Sequence, residues 1–205
     1  EMGGVPYTTF IAPGLIMMSV ITNSFGNVVS SFFSGKLQLN LEELLVSPLD
    51  FTTIIIGYVA GGVARGLAVA ALVTIVASFF TDLSIVHPLV TISVVILTAI
   101  VFSLAGLLNA IFANSFDDIS IIPTFVLAPL TYLGGVFFSI TLLSPFWQKV
   151  ALANPILYMV NAFRYGMLGS SDIPLITAFI IILVAVFGLF GLALFLLRRG
   201  IGIRT

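Results

Sequence analysis

Residues 173–197, IPLITAFIIILVAVFGLFGLALFLL, form a run of 25 positions without Asp, Glu, Lys or Arg. About 20 apolar residues suffice for a helix to cross a hydrocarbon core about 30 Å thick. Comparable runs cover 2–35, 83–116 and 119–148, and a fifth, 51–81, is interrupted only by Arg65. Because backbone groups in lipid need partners within the chain, and these runs are too long for barrel strands, the sequence predicts an all-α polytopic membrane protein.

Five spans are predicted, over about 9–33, 54–80, 88–113, 119–141 and 175–197, in a single transmembrane domain, residues 1–205. Composition agrees, since 60% of the residues are hydrophobic and 7% are charged, against roughly 25% charged in soluble domains. A net charge of −1 without a basic patch argues against a nucleic-acid partner. The absence of cysteine excludes disulfides and thiolate metal sites.

The basic residues predict the orientation. Placing the C-terminus in the cytoplasm puts Lys36 and the three arginines between 198 and 204 inside, and only Lys149 and Arg164 outside. Five spans then place Glu1 outside. We therefore expect an upstream segment with one more span, preceded by an interfacial helix, to be missing from this chain.

The first span has a polar face. Ser19, Asn23 and Asn27 follow one another at steps of four, and Ser30 or Ser31 continues the series on the same side of a helix. Amides are costly in lipid and usually face protein or water. Two interpretations stay open: the face lines a transport pathway beside a dimer axis, or it makes hydrogen bonds to other helices.

The second span contains two consecutive G-x-x-x-G pairs, Gly57/Gly61 and Gly62/Gly66. Glycines at this spacing predict close helix packing. Arg65 lies among them as a charge within a span, which makes it a functional candidate. Structural pairing with an acid, or snorkelling to the cytoplasmic surface, is the alternative.

Two acids open the fourth span. Ser115-Phe-Asp117-Asp118 has the S-x-x-D pattern of a capping box, and either acid is a candidate partner for Arg65. The alternative is a metal-binding diad like that of intramembrane prenyltransferases. Such a diad needs a further acid three residues on, where this sequence has Ile-Ser-Ile. Capping is the favoured interpretation.

The fourth span should be kinked, because Pro123 and Pro129 remove helix hydrogen bonds and Gly134 and Gly135 loosen the chain after them. The kink is consistent with a gate and equally with a packing device.

Residues 144–169, SPFWQKVALANPILYMVNAFRYGMLG, are too polar to cross a bilayer and too aromatic for a solvated loop. They predict an outer re-entrant element within 142–173, made of two short helices divided at Asn154-Pro155. Trp147, Tyr158 and Tyr165 suit the headgroup level of a bilayer.

Residues 34–50 are predicted as a cytoplasmic loop containing a short amphipathic helix that ends near Pro48. Its apolar face would dock on the membrane or on a cytosolic partner. The residues concerned are Leu41, Leu44 and Leu45 on the face, and Glu42 and Glu43 off it.

The sequence has no motif for catalysis. H-E-x-x-H, G-x-S-x-G and a phosphate-binding glycine loop are all absent, and the single histidine, His87, has no nucleophile beside it in sequence. We predict that the chain is not an enzyme and does not hydrolyse ATP by itself.

Three of these elements together resemble type-2 ABC exporter permeases, a family whose small bacterial inner-membrane members match over essentially the whole chain. They are the turn EELLVSP from Glu42 to Pro48, the glycine-rich span with Arg65, and the pattern Asn154-Pro155-Ile-Leu-Tyr158-x5-Arg164.

The resemblance implies a homodimer of six-helix subunits in the bacterial inner membrane, each bound to a separate cytosolic ABC ATPase that holds ATP and Mg. It implies no cofactor in this chain. Residues 41–48 would be the helix that couples to the ATPase, and Asn154, Pro155, Tyr158 and Arg164 would form an outer gate. The substrate would be amphiphilic, lipid-like, drug-like or glycan-type.

Two other classes compete. An ion-coupled secondary carrier would need acids or histidines near the membrane midplane, where only Arg65 is charged. An intramembrane enzyme would need a cluster of catalytic residues, which the sequence lacks.

Overall fold

The computed structural model describes residues 5–38 and 48–202, and every regular element within these ranges is helical apart from a one-residue bridge at Val5. Five segments are long and apolar enough to cross a membrane, which confirms the predicted number of spans. Four of them are continuous helices: α1 (Tyr7–Leu37), α2 (Phe51–Ser78), α3 (Pro88–Phe112) and α8 (Leu175–Arg199).

The fourth span is composite. It consists of α4 (Phe116–Ile122), a π-helical turn (Pro123–Leu127) and α5 (Ala128–Leu133). A 3-10 turn (Ile140–Leu142), α6 (Pro145–Leu152) and α7 (Pro155–Leu168) follow, so two short helices do flank Asn154-Pro155 as predicted.

The start of the fourth span is the predicted capping box. The Ser115 hydroxyl accepts a hydrogen bond from the Asp118 amide at 3.2 Å, and the Asp118 carboxylate accepts one from the Ser115 amide at 3.0 Å. No group of three or more potential metal ligands occurs among the described residues. Asp118 therefore caps a helix, as the favoured interpretation predicted, and it makes no ion pair with Arg65.

The fourth span ends earlier than predicted. The amide of Ala128 donates to the Pro123 carbonyl, five residues back, so the helix widens just before Pro129, whose ring would crowd the preceding turn. The helix stops at Leu133 because Gly135 adopts a φ of 74°, which a right-handed helix does not accept. The predicted span of 119–141 is wrong at its C-terminal end for this reason.

Helix α1 is the centre of the bundle. It packs against α2, α3 and α7, while α8 covers α3 and α7. Its buried side carries some of the largest fully buried side chains of the core: Ile16, Met17, Ile21, Phe25, Phe32 and Phe33. The helix extends to Leu37, four residues into the loop predicted from residue 34.

Lys36 joins α1 to the end of α3. Its ammonium group donates to the carbonyls of Ile111, at 3.1 Å, and Ala113, at 2.9 Å. The last carbonyls of a helix lack partners within the helix and carry its negative partial charge. Lys36 supplies both the hydrogen bonds and the opposite charge.

One of the two glycine pairs in α2 makes the predicted close contact. Gly62 and Gly66 are buried, and a Cβ atom at either position would collide with the hydroxyl of Ser103 or Ser24, respectively. Gly57 and Gly61 are exposed on another side of the helix. The close-packing prediction is thus confirmed for Gly62/Gly66 only.

The contact between Gly66 and Ser24 makes a testable prediction. We expect Gly66→Ala to lower the free energy of unfolding by about 1 kcal/mol, because the new methyl group overpacks the Ser24 hydroxyl. That hydroxyl is buried without a partner among the described residues, so removing it breaks no described hydrogen bond. Adding Ser24→Ala should restore stability, because the Ser24 Cβ would lie 3.5 Å from the new methyl. A double-mutant cycle on thermal unfolding midpoints measures this coupling.

Gly62 provides the matched control. Its added Cβ would also meet Val28 Cγ2 at 2.7 Å, so Ser103→Ala should not restore Gly62→Ala. A Gly66→Ala/Ser24→Ala protein as unstable as Gly66→Ala alone would contradict the packing argument.

Candidate functional site

The start of α7 is tied to the fourth span through Asn154. This side chain is 3% exposed, accepts a hydrogen bond from the Ile156 amide at 3.0 Å and donates to the Leu130 carbonyl of α5 at 2.6 Å. Pro155 occupies the first helical turn, where the missing N–H would have no intrahelical partner. One amide thus both caps α7 and anchors it to α5.

Tyr158 fixes the angle between α6 and α7. Its hydroxyl donates to the carbonyl of Leu152, the last residue of α6, at 2.7 Å. Gln148 in turn donates to the Leu143 carbonyl at 2.9 Å, at the start of the same pair of helices. Side-chain bonds at both ends of α6 therefore hold the α6–α7 pair, residues 145–168, in one arrangement.

Arg164 lies at the point where three parts of the chain meet. It is 2% exposed, and its Nη2 donates to the carbonyl of Gly135 at 2.7 Å. Its Cζ lies 3.9 Å from the ring centre of Phe10 in α1, a cation–π contact. Its Nε and Nη1 have no partner among the described residues. The guanidinium thus links α7, the loop after α5 and the N-terminal turn of α1.

Burial lowers the pKa of Arg164 to about 10, and the negative charge of Asp172 opposes this effect. The side chain remains a cation at neutral pH, held in surroundings that disfavour its charge.

Sequence reasoning missed three residues of this site. Ser139 donates to the Asp172 carboxylate at 2.7 Å, and the Asp172 amide donates to the Asn161 side chain at 3.1 Å. Asp172 is the only acid between Asp118 and the C-terminus. This isolation was the sequence signal that could have identified it as a site residue. Asn161 and Ser139 carried none, because they lie 11 and 33 residues in sequence from their shared partner, Asp172.

The loop before α3 is fastened to the other end of α7. The amide of His87 donates to the Gly166 carbonyl at 2.8 Å, and its ring stacks on Tyr165 with the centroids 4.9 Å apart. The structure thus gives His87 contacts that position a loop.

The predicted polar stripe lies on the partly exposed side of α1. Ser19 and Ser30 donate to carbonyls four residues back in their own helix, and Asn23 does the same to Ser19. Asn27 faces Gly61 of α2, since a Cβ added there would lie 3.5 Å from the amide nitrogen. The hydrogen bonds between helices that were one interpretation of this stripe are not found among the described residues.

Arg65 is exposed and makes no hydrogen bond or ion pair with another described residue. It lies 14 residues after Phe51 and 13 before Ser78, so about 20 Å of helix separates it from either end of α2. Neighbouring Gly66 packs against Ser24, which places Arg65 near the depth of the α1 stripe.

The residues predicted to couple to the ATPase, Leu41, Glu42, Glu43, Leu44 and Leu45, lie outside the described residues. Pro48, at the end of this segment, is exposed in the bend that precedes α2.

Comparison with known proteins agrees with this architecture. The sequence profile of the ABC-2 type transporter family matches residues 2–168. The chain is 55% identical over 206 residues to the inner membrane transport permease YadH of Escherichia coli K12, covering 100% of this chain and 80% of that protein. It is 26% identical over 170 residues to Nodulation protein J of Rhizobium leguminosarum bv. trifolii, covering 82% of this chain and 65% of that protein.

Five candidate membrane spans and the match to a transporter family identify a membrane permease. The chain belongs to the ABC-2 type transporter family. It is the transmembrane permease subunit of such a transporter in the bacterial inner membrane, and its 205 residues contain no ATPase domain. Family membership implies an ATPase partner and sets the ion-coupled carrier aside.

Proposed function

We propose that this permease works as a homodimer that exports an amphiphilic substrate, driven by a separate cytosolic ATPase that binds ATP and Mg. The observation that carries the proposal is the half-exposed polar face of α1 in a chain whose other exposed helix faces are mainly apolar. Side chains such as Asn23 and Asn27 are unfavourable in lipid. A second copy placed against this face would enclose a polar pathway between the two subunits.

Arg65 supports the same arrangement. A cation about 20 Å from either helix end cannot easily reach a headgroup, so the surface around it should face water or protein. The α1 stripe and Arg65 therefore belong to one non-lipid surface. Apart from Arg65, this surface presents amide, hydroxyl and small apolar groups, which suit a lipid-like, drug-like or glycan-type substrate.

The α6–α7 element is proposed as the outer gate of this pathway. It re-enters the outer leaflet, and the bonds from Asn154, Tyr158 and Arg164 hold it closed in the described state. ATP binding closes the paired ATPases, moves residues 41–48, and shifts the population toward an outward-open state, in which the Arg164–Gly135 bond is broken.

The test of the pairing is co-purification. Full-length permease is expressed with the ABC ATPase encoded beside its gene and purified in nanodiscs. We expect the wild type to retain the ATPase. The Glu42→Lys/Glu43→Lys variant should retain at most about one tenth of the wild-type amount, because reversed charges at an interface oppose binding. Asp117→Lys is the matched control. Asp117 is an exposed acid of α4 that we place on the cytoplasmic side, and replacing it leaves the Asp118 cap intact.

Absence of any ATPase in the wild-type preparation would contradict the proposed pairing. Equal retention by wild type and the double variant would leave the pairing intact and refute the assignment of residues 41–48 to the contact.

A further inference from the structure

A groove runs between α1 and α2 at the end of the bundle that carries the Thr81–His87 loop. Its inner part is a hollow of about 290 Å³ lined by Ile11, Ala12 and Leu15 of α1 and by Val73, Val76 and Ala77 of α2. Every one of these six side chains is apolar. The groove opens sideways, because Leu15 and Val76 are exposed.

The groove continues into a second hollow of about 470 Å³ with a different lining. The two share Thr8, Phe80 and Thr81, so they form one continuous depression. The second hollow adds polar groups from Thr9, Ser84 and Asp82. The site is therefore apolar toward the middle of the bundle and polar at its mouth.

The dimensions match one leaflet of a bilayer. From Val73 to Thr81 the chain runs eight residues, about 12 Å at helical rise, which approaches half of a 30 Å hydrocarbon core. An acyl chain lying against the apolar part would place its head group beside the polar mouth.

The charge at the mouth selects the head group. Asp82 is exposed and makes no hydrogen bond or ion pair with another described residue. None of the residues that line either hollow is basic. An unpaired carboxylate without a neighbouring cation attracts an ammonium group and repels a lipid whose head group is only anionic.

We propose that this groove binds a membrane phospholipid with a primary ammonium head group, its acyl chain between α1 and α2 and its ammonium at Asp82. The groove lies on the side of α1 that carries Ser19, since Leu15 precedes Ser19 by one turn, and it is separate from the α6–α7 element. It does not depend on which side of the membrane the loop faces, and its test is independent of ATPase binding.

The test uses tryptophan fluorescence quenched by brominated lipids in the full-length protein. Trp147 is the single tryptophan of this chain. Replacing it by Phe, together with any tryptophan outside these 205 residues, gives a background into which one tryptophan reporter at a time is introduced. Phe80→Trp places the reporter in the groove wall. Phe79→Trp is the matched control, because Phe79 is adjacent and equally exposed, 81% against 79%, but lines neither hollow.

Nanodiscs contain phosphatidylglycerol and phosphatidylethanolamine, with one or the other brominated on its acyl chains. The preference at each position is the quenching by brominated phosphatidylethanolamine divided by the quenching by brominated phosphatidylglycerol. We expect this preference to be about threefold higher at position 80 than at position 79, which is the size of effect that an exposed ion pair produces. Asp82→Asn should abolish this preference, and Ala77→Phe should reduce quenching at position 80 by filling the groove.

Equal preferences at positions 79 and 80, or a preference that survives Asp82→Asn, would overturn the proposal. So would a reporter at position 80 that neither lipid quenches, because another protein segment would then occupy the groove.

Discussion

Arg164→Met is expected to open the proposed outer gate without ATP while leaving the protein folded. The Arg164 guanidinium makes a charge-assisted hydrogen bond to the Gly135 carbonyl at 2.7 Å. Hydrogen bonds to charged groups contribute about 1.5–3 kcal/mol. If this bond exists in the closed state alone, losing it should raise the open-to-closed ratio by about 10- to 100-fold.

Stability should change little in the same variant. The guanidinium has two buried nitrogens without partners among the described residues, and burial lowers its pKa to about 10. Both observations indicate that the folded state holds this cation at a desolvation cost. Removing the side chain therefore removes a desolvation cost as well as the hydrogen bond to Gly135, and the two effects oppose each other. We therefore expect a thermal midpoint near that of the wild type.

Accessibility of a single cysteine measures the opening. The chain contains no cysteine. Val136→Cys therefore supplies a unique labelling site, once any cysteine outside these 205 residues has been replaced by Ser. Val136 lies beside Gly135 and is 0% exposed. Labelling by a membrane-impermeant maleimide should be slow in this background without ATP and about tenfold faster or more when Arg164→Met is added.

Lys149→Met is the matched control, since it removes an exposed cation from α6 in the same element. It should leave the labelling rate unchanged. If Arg164→Met lowers the thermal midpoint by many degrees without faster labelling of the folded fraction, Arg164 is a structural residue and the gate assignment is wrong.

The spans were predictable because their signal is local. Length and apolarity decide whether a segment suits a bilayer, and all five segments chosen on that basis are helical. The capping box was predictable for the same reason, since Ser115 and Asp118 contact one another within a single turn. Hydropathy did not predict the end of the fourth span, because the sharp turn at Gly135 depends on backbone conformation and leaves apolarity unchanged across it.

The candidate site was predictable as a segment and not as a set of contacts. The pattern from Asn154 to Arg164 identified the residues, but their partners Leu130 and Gly135 lie 24 and 29 residues upstream. Contacts over that distance depend on how α5 and α7 pack. The glycines of α2 show the same limit, because spacing places Gly61 and Gly62 in equivalent motifs and only the neighbouring helices decide which one is buried.

Gly106→Ala is expected to be strongly destabilising, because the glycine lies where two spans approach backbone to backbone. A Cβ atom at Gly106 of α3 would lie 2.5 Å from the Phe25 carbonyl oxygen and 3.3 Å from two further backbone atoms of that residue. Backbone atoms cannot turn aside as a side chain does, so α1 and α3 would have to separate. Overpacking of this kind typically lowers the free energy of unfolding by about 1–3 kcal/mol.

Gly57→Ala is the matched control, because the same substitution in α2 would meet nothing within 4 Å. It should be neutral, or stabilising by about 0.5 kcal/mol through better helix propensity. Thermal unfolding followed by circular dichroism in nanodiscs measures both variants against wild type. A Gly106→Ala protein as stable as wild type would contradict the close contact of α1 and α3. Equal losses at Gly57 and Gly106 would indicate that the exposed glycine face of α2 is covered in the assembled transporter, and α2 would then belong to an interface that a single chain does not contain.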